Sequence, residues 1–403
     1  MSRPTVVLVG TLDTKGEEYA YLRERLEQAG VATLLVDVGT QGPPRAPADV
    51  PREDVAASGG FDLASLSDRG AAVQAMCAAA PGVVRRLFDE GRCQGVLAAG
   101  GSGNTAIATA AMRVLPVGVP KLVVSTMAAG DTAAYVGVND VTLMPAVTDV
   151  AGLNSVSARI LANAAAAMAG MVTAAPVDLG ESRPVVAATM FGVTTPAVTT
   201  AREELERRGY EVLVFHATGT GGRSMESLVE AGFVTGVLDL TTTELADDLV
   251  GGVLSAGPHR LEAAGRCGVP QVVSLGALDM VNFGPRESVP ARFAGRNLYV
   301  HNPSVTLMRT TPEECEELGR RLGAKLSAAT GPVALFVPLR GVSAISVEGG
   351  PFFDPDADAA LLAGLRETLD PSVEVHEVDA HVNDPAFAVA MAARLDEFLG
   401  GHA

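Results

Sequence analysis

Val6-Val7-Leu8-Val9 opens an apolar strand, and a helical stretch through Leu26 and Gly30 leads to a second strand ending at Asp37. A shift of 179 positions, with no gap, carries Val6 onto Val185. The same order then recurs: Val185-Val186-Ala187-Ala188, a helical stretch through Leu205 and Gly209, and a strand ending at His216. Self-similarity on this scale predicts two domains of one topology. Strands alternating with amphipathic helices predict the α/β class, with two Rossmann-like, mostly parallel sheets carrying helices on both faces. The aperiodic stretch Thr173–Arg183, which contains Pro176 and runs into Pro184, places the boundary: residues 1–175 form one domain and residues 184–403 the other.

Composition narrows the function classes. The 403 residues are nearly half apolar, mostly Ala, Val and Leu, with no Trp. Such a chain suits buried parallel strands under Ala-rich helices. A formal net charge of −17 argues against a nucleic-acid partner, which would demand clustered Lys and Arg. Cys77, Cys93, Cys267 and Cys315 form no CxxC pair and no metal-ligand spacing, and read as reduced structural thiols. No charged and apolar leader precedes the first strand, so the expected location is the cytoplasm. The run Leu161–Val172 is apolar, but it is short and broken by Asn163 and Gly170, so it reads as a packed helix rather than a membrane span.

In the first domain three strand ends carry candidate ligand groups. Gly100-Gly101-Ser102-Gly103-Asn104-Thr105 follows the strand Gly95–Ala99 and opens a helix. Backbone amides at such a helix start converge on an anion and add the positive end of the helix dipole. The acidic residue that a dinucleotide site needs about twenty positions on is absent, and the next strand ends at Ser125-Thr126. Gly10-Thr11-Leu12-Asp13-Thr14-Lys15 ends the first strand, with Lys15 suited to a phosphate and Asp13 to Mg²⁺ or a hydroxyl. Thr14 suits equally a partial capping box with Glu17. Asp37 ends the second strand, where a ribose hydroxyl is often held. Pro43–Phe61, with four prolines, reads as an excursion or lid.

In the second domain the strand ends are richer in side chains. His216 closes one strand, Asp239 to Glu244 the next, Asp279 follows another and His301-Asn302 ends a fourth. Histidines beside carboxylates suit acid/base work or a metal. The expected catalytic set is therefore His216, Asp279, His301 and Glu244, with no metal ligand set assigned.

The stretches GTLDTKGEEYAYLRERL, GGSGNT, STMAAGDT, TDVAGLNSVSARIL, FHATGTGGRSME, GALDMVNFG and FFDPDADAAL together resemble the Tm-1-like family (UPF0261), over essentially the whole chain. That family includes the N-terminal domain of a plant tobamovirus-resistance protein that binds and inhibits a viral replication protein. The resemblance implies two Rossmann-like subdomains, ATP with Mg²⁺ in the first, and a homodimer. One departure is Asn104, where the family usually has glycine; asparagine tolerates positive φ, so the loop is expected to survive. The combined expectation is an ATP-using enzyme with a small carboxylated or phosphorylated metabolite in a second-domain pocket. The alternatives are a regulatory dimer stabilised by ATP, and a metal-dependent hydrolase or lyase centred on the second domain.

Overall fold

The computed structural model describes residues 3–66, 68–175 and 183–401, and divides the chain into two compact units, Met1–Asp178 and Leu179–Ala403. The first unit runs β1 (Thr5–Gly10), α1 (Leu12–Gln28), β2 (Ala32–Asp37), α2 (Arg52–Ser58), α3 (Arg69–Asp89), β3 (Gly95–Gly100), α4 (Ser102–Arg113), β4 (Lys121–Ser125), α5 (Ala133–Val136), β5 (Thr142–Pro145) and α6 (Ser157–Thr173). Its five strands lie in the order β2-β1-β3-β4-β5 and pair in parallel. Val6 and Leu8 face one core and Val7 and Val9 the other, which is why these strands read as unbroken apolar runs.

The second unit continues with β6 (Val185–Met190), α7 (Thr195–Arg207), β7 (Glu211–His216), α8 (Thr220–Glu230), β8 (Gly236–Thr241), α9 (Glu244–Val250), α10 (Ala263–Cys267), β9 (Gln271–Gly276), β10 (Met280–Phe283), β11 (Leu298–Asn302) and β12 (Val305–Arg309). It closes with α11 (Pro312–Ser327), β13 (Val333–Pro338), α12 (Pro355–Thr368), β14 (Glu374–Val378) and α13 (Pro385–Phe398). A parallel sheet is ordered β14-β13-β9-β8-β6-β7, and β10-β12-β11 form a small antiparallel sheet beside it. The α11 start carries a complete capping box. The Thr311 hydroxyl accepts from the Glu314 amide, and the Glu314 carboxylate accepts from the Thr311 amide, just ahead of Pro312.

The repeat is real but its register differs from the gapless reading. Strand pairing aligns Thr5 with Val185, an offset of 180, whereas Ala32 aligns with Glu211, an offset of 179. One residue is missing between the two strands of the second copy, so Val6 matches Val186 rather than Val185. The helix α3 runs through Pro81 without interruption. The stretch after Pro43 is an ordered arm, in which Val50 bridges Val36 and α2 packs on α3. The apolar face of α6, through Leu161, Ala164, Ala165 and Met168, is covered by its own unit's sheet and α1, as a packed helix requires.

Candidate functional site

In the first unit the chain leaves β1 toward β2 on one side, while β3, β4 and β5 extend the sheet on the other. The carboxyl ends of β1 and β3 therefore flank the point where strand order reverses, which is where ligands bind in open α/β sheets. A cavity of about 260 Å³ lies there, lined by Asp13, Lys15, Arg69, Gly101, Ser102, Gly103 and Asp149 among others. The α4 helix starts at Ser102, and the first acceptance back along the chain is by the Gly101 carbonyl from Thr105 N–H. The amides of Ser102, Gly103 and Asn104 therefore have no helical acceptor, at the positive end of a twelve-residue helix. A Cβ on Gly103 would meet only Val73 Cγ2, at 3.7 Å, and one on Gly101 only Thr126 Oγ1, at 3.8 Å, so both face open space. Lys15 and Arg69 add two positive charges, and among the described residues neither has a carboxylate within ion-pair distance. An anion cradle with two uncommitted cations is the result.

The other residues expected here hold the cradle's shape. Asn104 is not in a left-handed conformation, since it lies inside α4. Its Oδ1 accepts from the Thr11 amide at 3.1 Å, and its Nδ2 donates to the Ala99 carbonyl and to the Tyr19 hydroxyl at 3.0 Å each. The Tyr19 hydroxyl donates to the Val9 carbonyl and accepts from the Ala99 amide. Burial pushes that hydroxyl's pKa far above its ordinary value. Asn104 and Tyr19 thus tie the ends of β1 and β3 together, which a glycine at position 104 could not do. Gly10 and Gly100 serve that knot: a Cβ would sit 2.2 Å from the Tyr19 ring at Gly10, and 2.7 Å from Asn104 Cβ at Gly100.

Asp13 lines the cavity, but its Oδ2 accepts from the Thr40, Gln41 and Gly42 amides, so it organises that loop. Its Oδ1 is buried with no partner among the described residues. Asp37 lies outside the cavity: its buried Oδ1 accepts from the Leu12 and Gly39 amides, and burial raises its pKa. Its Oδ1 therefore braces the turn between β1 and the 39 region. Thr105 is also buried and bonds the Gly101 carbonyl and the Ser125 hydroxyl. Thr126 sits at the rim without lining the cavity. Thr14 does line it, but the capping box with Glu17 is not formed, because α1 starts two residues earlier and has no side-chain cap. Thr40, Gln41, Arg69 and Asp149 were missed by the sequence reading. They arrive from loops and a helix start whose return to this edge is a long-range event.

The second unit treats the same place differently. At its reversal point, between β6 and β8, the space is filled by side chains. Thr194 and Thr241 hydroxyls meet at 2.7 Å, and Thr189 donates to Asp239 at 2.7 Å. Arg260 lies buried beneath them, donating through Nη2 to Asp239 and through Nε to Glu244 at 2.7 and 2.6 Å. Glu244 also accepts from the Gly219 and Gly222 amides at the start of α8, and is wholly buried. The expected catalytic role of Glu244 is therefore corrected to an internal counter-ion. His301 lies on the exposed β11 of the antiparallel sheet, not on the parallel sheet's carboxyl edge. His216 ends β7 and packs edge-on against Phe191, with ring centroids 5.5 Å apart. No hydrogen bond or ion pair among the described residues joins any two of the four expected catalytic residues. Among the described residues no group of three or more His, Cys, Asp or Glu is placed to hold a metal ion.

Asp279 is buried and accepts from the Ser343 hydroxyl at 2.7 Å, while its Oδ1 is unpartnered. Burial lifts its pKa to about 6, with Arg309 pulling down and Asp358 pushing up. A carboxyl raised above its unfolded value favours folding below the unfolded pKa, and that contribution is lost as pH rises through the folded pKa. The window is about pH 4 to 6. Asp279→Asn should therefore gain roughly 3 kcal/mol relative to the parent between pH 4 and pH 7.5. Urea unfolding at both pH values measures this, and a pH-independent difference would refute it.

Two family models cover the chain: the Uncharacterised protein family (UPF0261) N-terminal domain over residues 4–176, and the C-terminal domain of the same family over residues 183–399. A UPF0261 protein of Clostridium tetani is 50% identical over 394 residues, spanning 97% of this chain and 98% of its own length. One from Rhizobium meliloti is 50% identical over 393 residues, with 96% and 97% covered. The ToMV resistance protein Tm-1(GCR237) of Solanum lycopersicum is 40% identical over 421 residues, covering 98% of this chain and 55% of the tomato protein. Among solved structures, a putative UDP-N-acetylglucosamine 2-epimerase from Listeria monocytogenes matches 99% of this chain and 97% of its own at 11% identity, with a TM-score of 0.26. With both units matched and relatives half identical over nearly their full length, the chain belongs to the UPF0261 family.

Proposed function

We propose that the first unit binds ATP with Mg²⁺ and that the protein is an ATP-using enzyme acting on a small carboxylated or phosphorylated metabolite. The observation that carries the nucleotide is the pairing of free α4 amides with two uncommitted cations, Lys15 and Arg69, at the sheet's reversal point. Phosphates would lie on the Ser102 and Gly103 amides, with Lys15 and Arg69 neutralising them. Mg²⁺ is usually held by one or two carboxylates plus phosphate oxygens and water. Asp149, exposed in the cleft, suits that role, as does Asp13, whose Oδ1 has no partner among the described residues while its Oδ2 holds the 40–42 loop. A second cavity, about 560 Å³ and walled in part by Ala57, Phe61 and Leu66, shares Thr40 and Gln41 with the first and suits the nucleoside. ATP would supply a transferable phosphoryl group, and Lys15 and Arg69 would hold the charge that develops as it moves.

The regulatory-dimer reading draws on one separate feature. After β5, Val147 is 79% exposed with φ +63°, and Leu153 and Val156 are exposed nearby, an apolar loop suited to another protein. That loop also carries Asp149, so docking and nucleotide binding would be coupled.

Replacing both cations tests the nucleotide assignment. Charge-assisted bonds contribute about 1.5 kcal/mol or more each, so Lys15→Ala with Arg69→Ala should weaken ATP·Mg²⁺ binding by roughly 100-fold. Calorimetry on the folded double variant measures it. Unchanged affinity would remove the cleft as the ATP site.

A further inference from the structure

The second unit has a cavity that the polar strand ends do not explain. It measures about 330 Å³ and lies at the carboxyl ends of the neighbouring strands β9 and β13, beside the first turns of α12. Leu275, Val337, Val342 and Leu362 are among its walls. Two further lining residues, Leu339 and Phe353, leave 47% and 45% of their surface in water. Large apolar side chains held open around an apolar hollow are costly to leave wet, and they suit a ligand with an apolar body.

Two charged side chains are among the lining residues, Asp358 and Arg340, and Arg340 is paired with Asp379. The Asp358 Oδ1 accepts from Arg309 Nη2 at 2.8 Å while its Oδ2 has no partner among the described residues. Arg309 is fixed in turn by the Phe352 and Asp354 carbonyls and the Thr310 hydroxyl, so the carboxylate is braced from behind. The Asp358 side chain is 31% exposed, so its second oxygen is open to a donor from water or from a ligand. Phe353 and Asp358 come from Phe352–Leu361, a stretch whose sequence carries the family likeness but which the nucleotide cleft does not use.

We infer that this cavity binds a small molecule with an apolar body and one neutral or cationic hydrogen-bond donor, an alcohol or amine, directed at Asp358 Oδ2. The site is separate from the ATP cleft in the first unit, and the two stand or fall independently. It also differs from the carboxylated or phosphorylated ligand expected of the second domain, because an anion would face Asp358 while the lining cation, Arg340, is already paired with Asp379.

N-phenyl-1-naphthylamine is a suitable probe, since it is neutral, apolar, carries one N–H and brightens in apolar surroundings. The chain has no Trp, so background emission is low. The full-length protein should bind the probe saturably, and the isostere 1-phenylnaphthalene, which lacks the donor, at least tenfold more weakly. Ala359 lines the cavity from an exposed helix position, so Ala359→Phe fills it without removing a buried contact. That variant should lose probe binding at least tenfold, with its melting temperature and ATP titration unchanged. No saturable binding, or full binding in Ala359→Phe, would overturn the site. Equal binding of the two probes would overturn the Asp358 anchor. A loss of ATP binding in Lys15→Ala with Arg69→Ala leaves all three outcomes unaffected.

Discussion

Arg260→Met should destabilise the second unit by about 3–5 kcal/mol, the range for removing one partner of a buried ion pair. Arg260 is 1% exposed, and its guanidinium faces Asp239, Glu244 and, at 3.5 Å, Glu226. Burial opposes its charge, yet the three acids outweigh that and hold it protonated. Remove it and Asp239 and Glu244 remain dry without a counter-ion, while Glu244 still occupies the amides of Gly219 and Gly222. A Cβ on Gly222 would lie 2.1 Å from Glu244 Oε2, so the site has no slack in which the carboxylate could retreat. The comparison that isolates burial is Arg366, whose contact with Glu377 is as short, at 2.5 Å, but solvent-exposed on both sides. Arg366→Met should cost less than about 1 kcal/mol. Urea unfolding of both variants decides the matter: equal midpoints would mean that the Arg260 network is not what holds this edge together.

The same network shows where reading a sequence stops. Apolar runs such as Val6–Val9 and Val185–Ala188 declare buried parallel strands, because both faces are covered and no alternation is needed. The glycine loop after β3 was legible for a similar reason: strand, loop and helix are contiguous, and the free amides follow from local geometry. Asn104 was legible as a site residue but not in its role. Its usefulness lies in reaching Thr11 and Tyr19, which are distant in sequence, and not in its own backbone. Arg69 was invisible because nothing near position 69 says that the start of α3 returns to β1 and β3. The polar strand ends of the second unit misled for the converse reason. Polarity at Asp239, Thr241 and Glu244 is plain in the sequence, but whether it faces solvent or an arginine depends on Arg260, which arrives from a loop further along. The single-residue offset between the copies was hidden too, since only strand pairing reveals which residue faces which.

Gly103→Val is expected to reduce ATP·Mg²⁺ affinity by more than tenfold, roughly 1.4 kcal/mol or beyond, while leaving the fold intact. Gly103 is in the first turn of α4 with ordinary helical φ, so no left-handed strain is at stake. Nor is the protein tightly packed there, as the nearest atom to a Cβ would be Val73 Cγ2 at 3.7 Å. A valine therefore fits the free protein, at a helix-propensity cost no greater than that of the glycine it replaces. What it removes is the open approach to the Ser102 and Gly103 amides, because its two methyls project from the helix start on which a phosphate would rest. Gly100 provides the contrast: a Cβ there would sit 2.7 Å from Asn104 Cβ, so Gly100→Ala should lower stability before it touches binding. Thermal unfolding and calorimetry on both variants separate the two effects. If Gly103→Val keeps the parent melting temperature and loses ATP, its amides face the phosphates. If it keeps both, the nucleotide is held elsewhere, and the glycines of this loop serve only to bring β3 into α4.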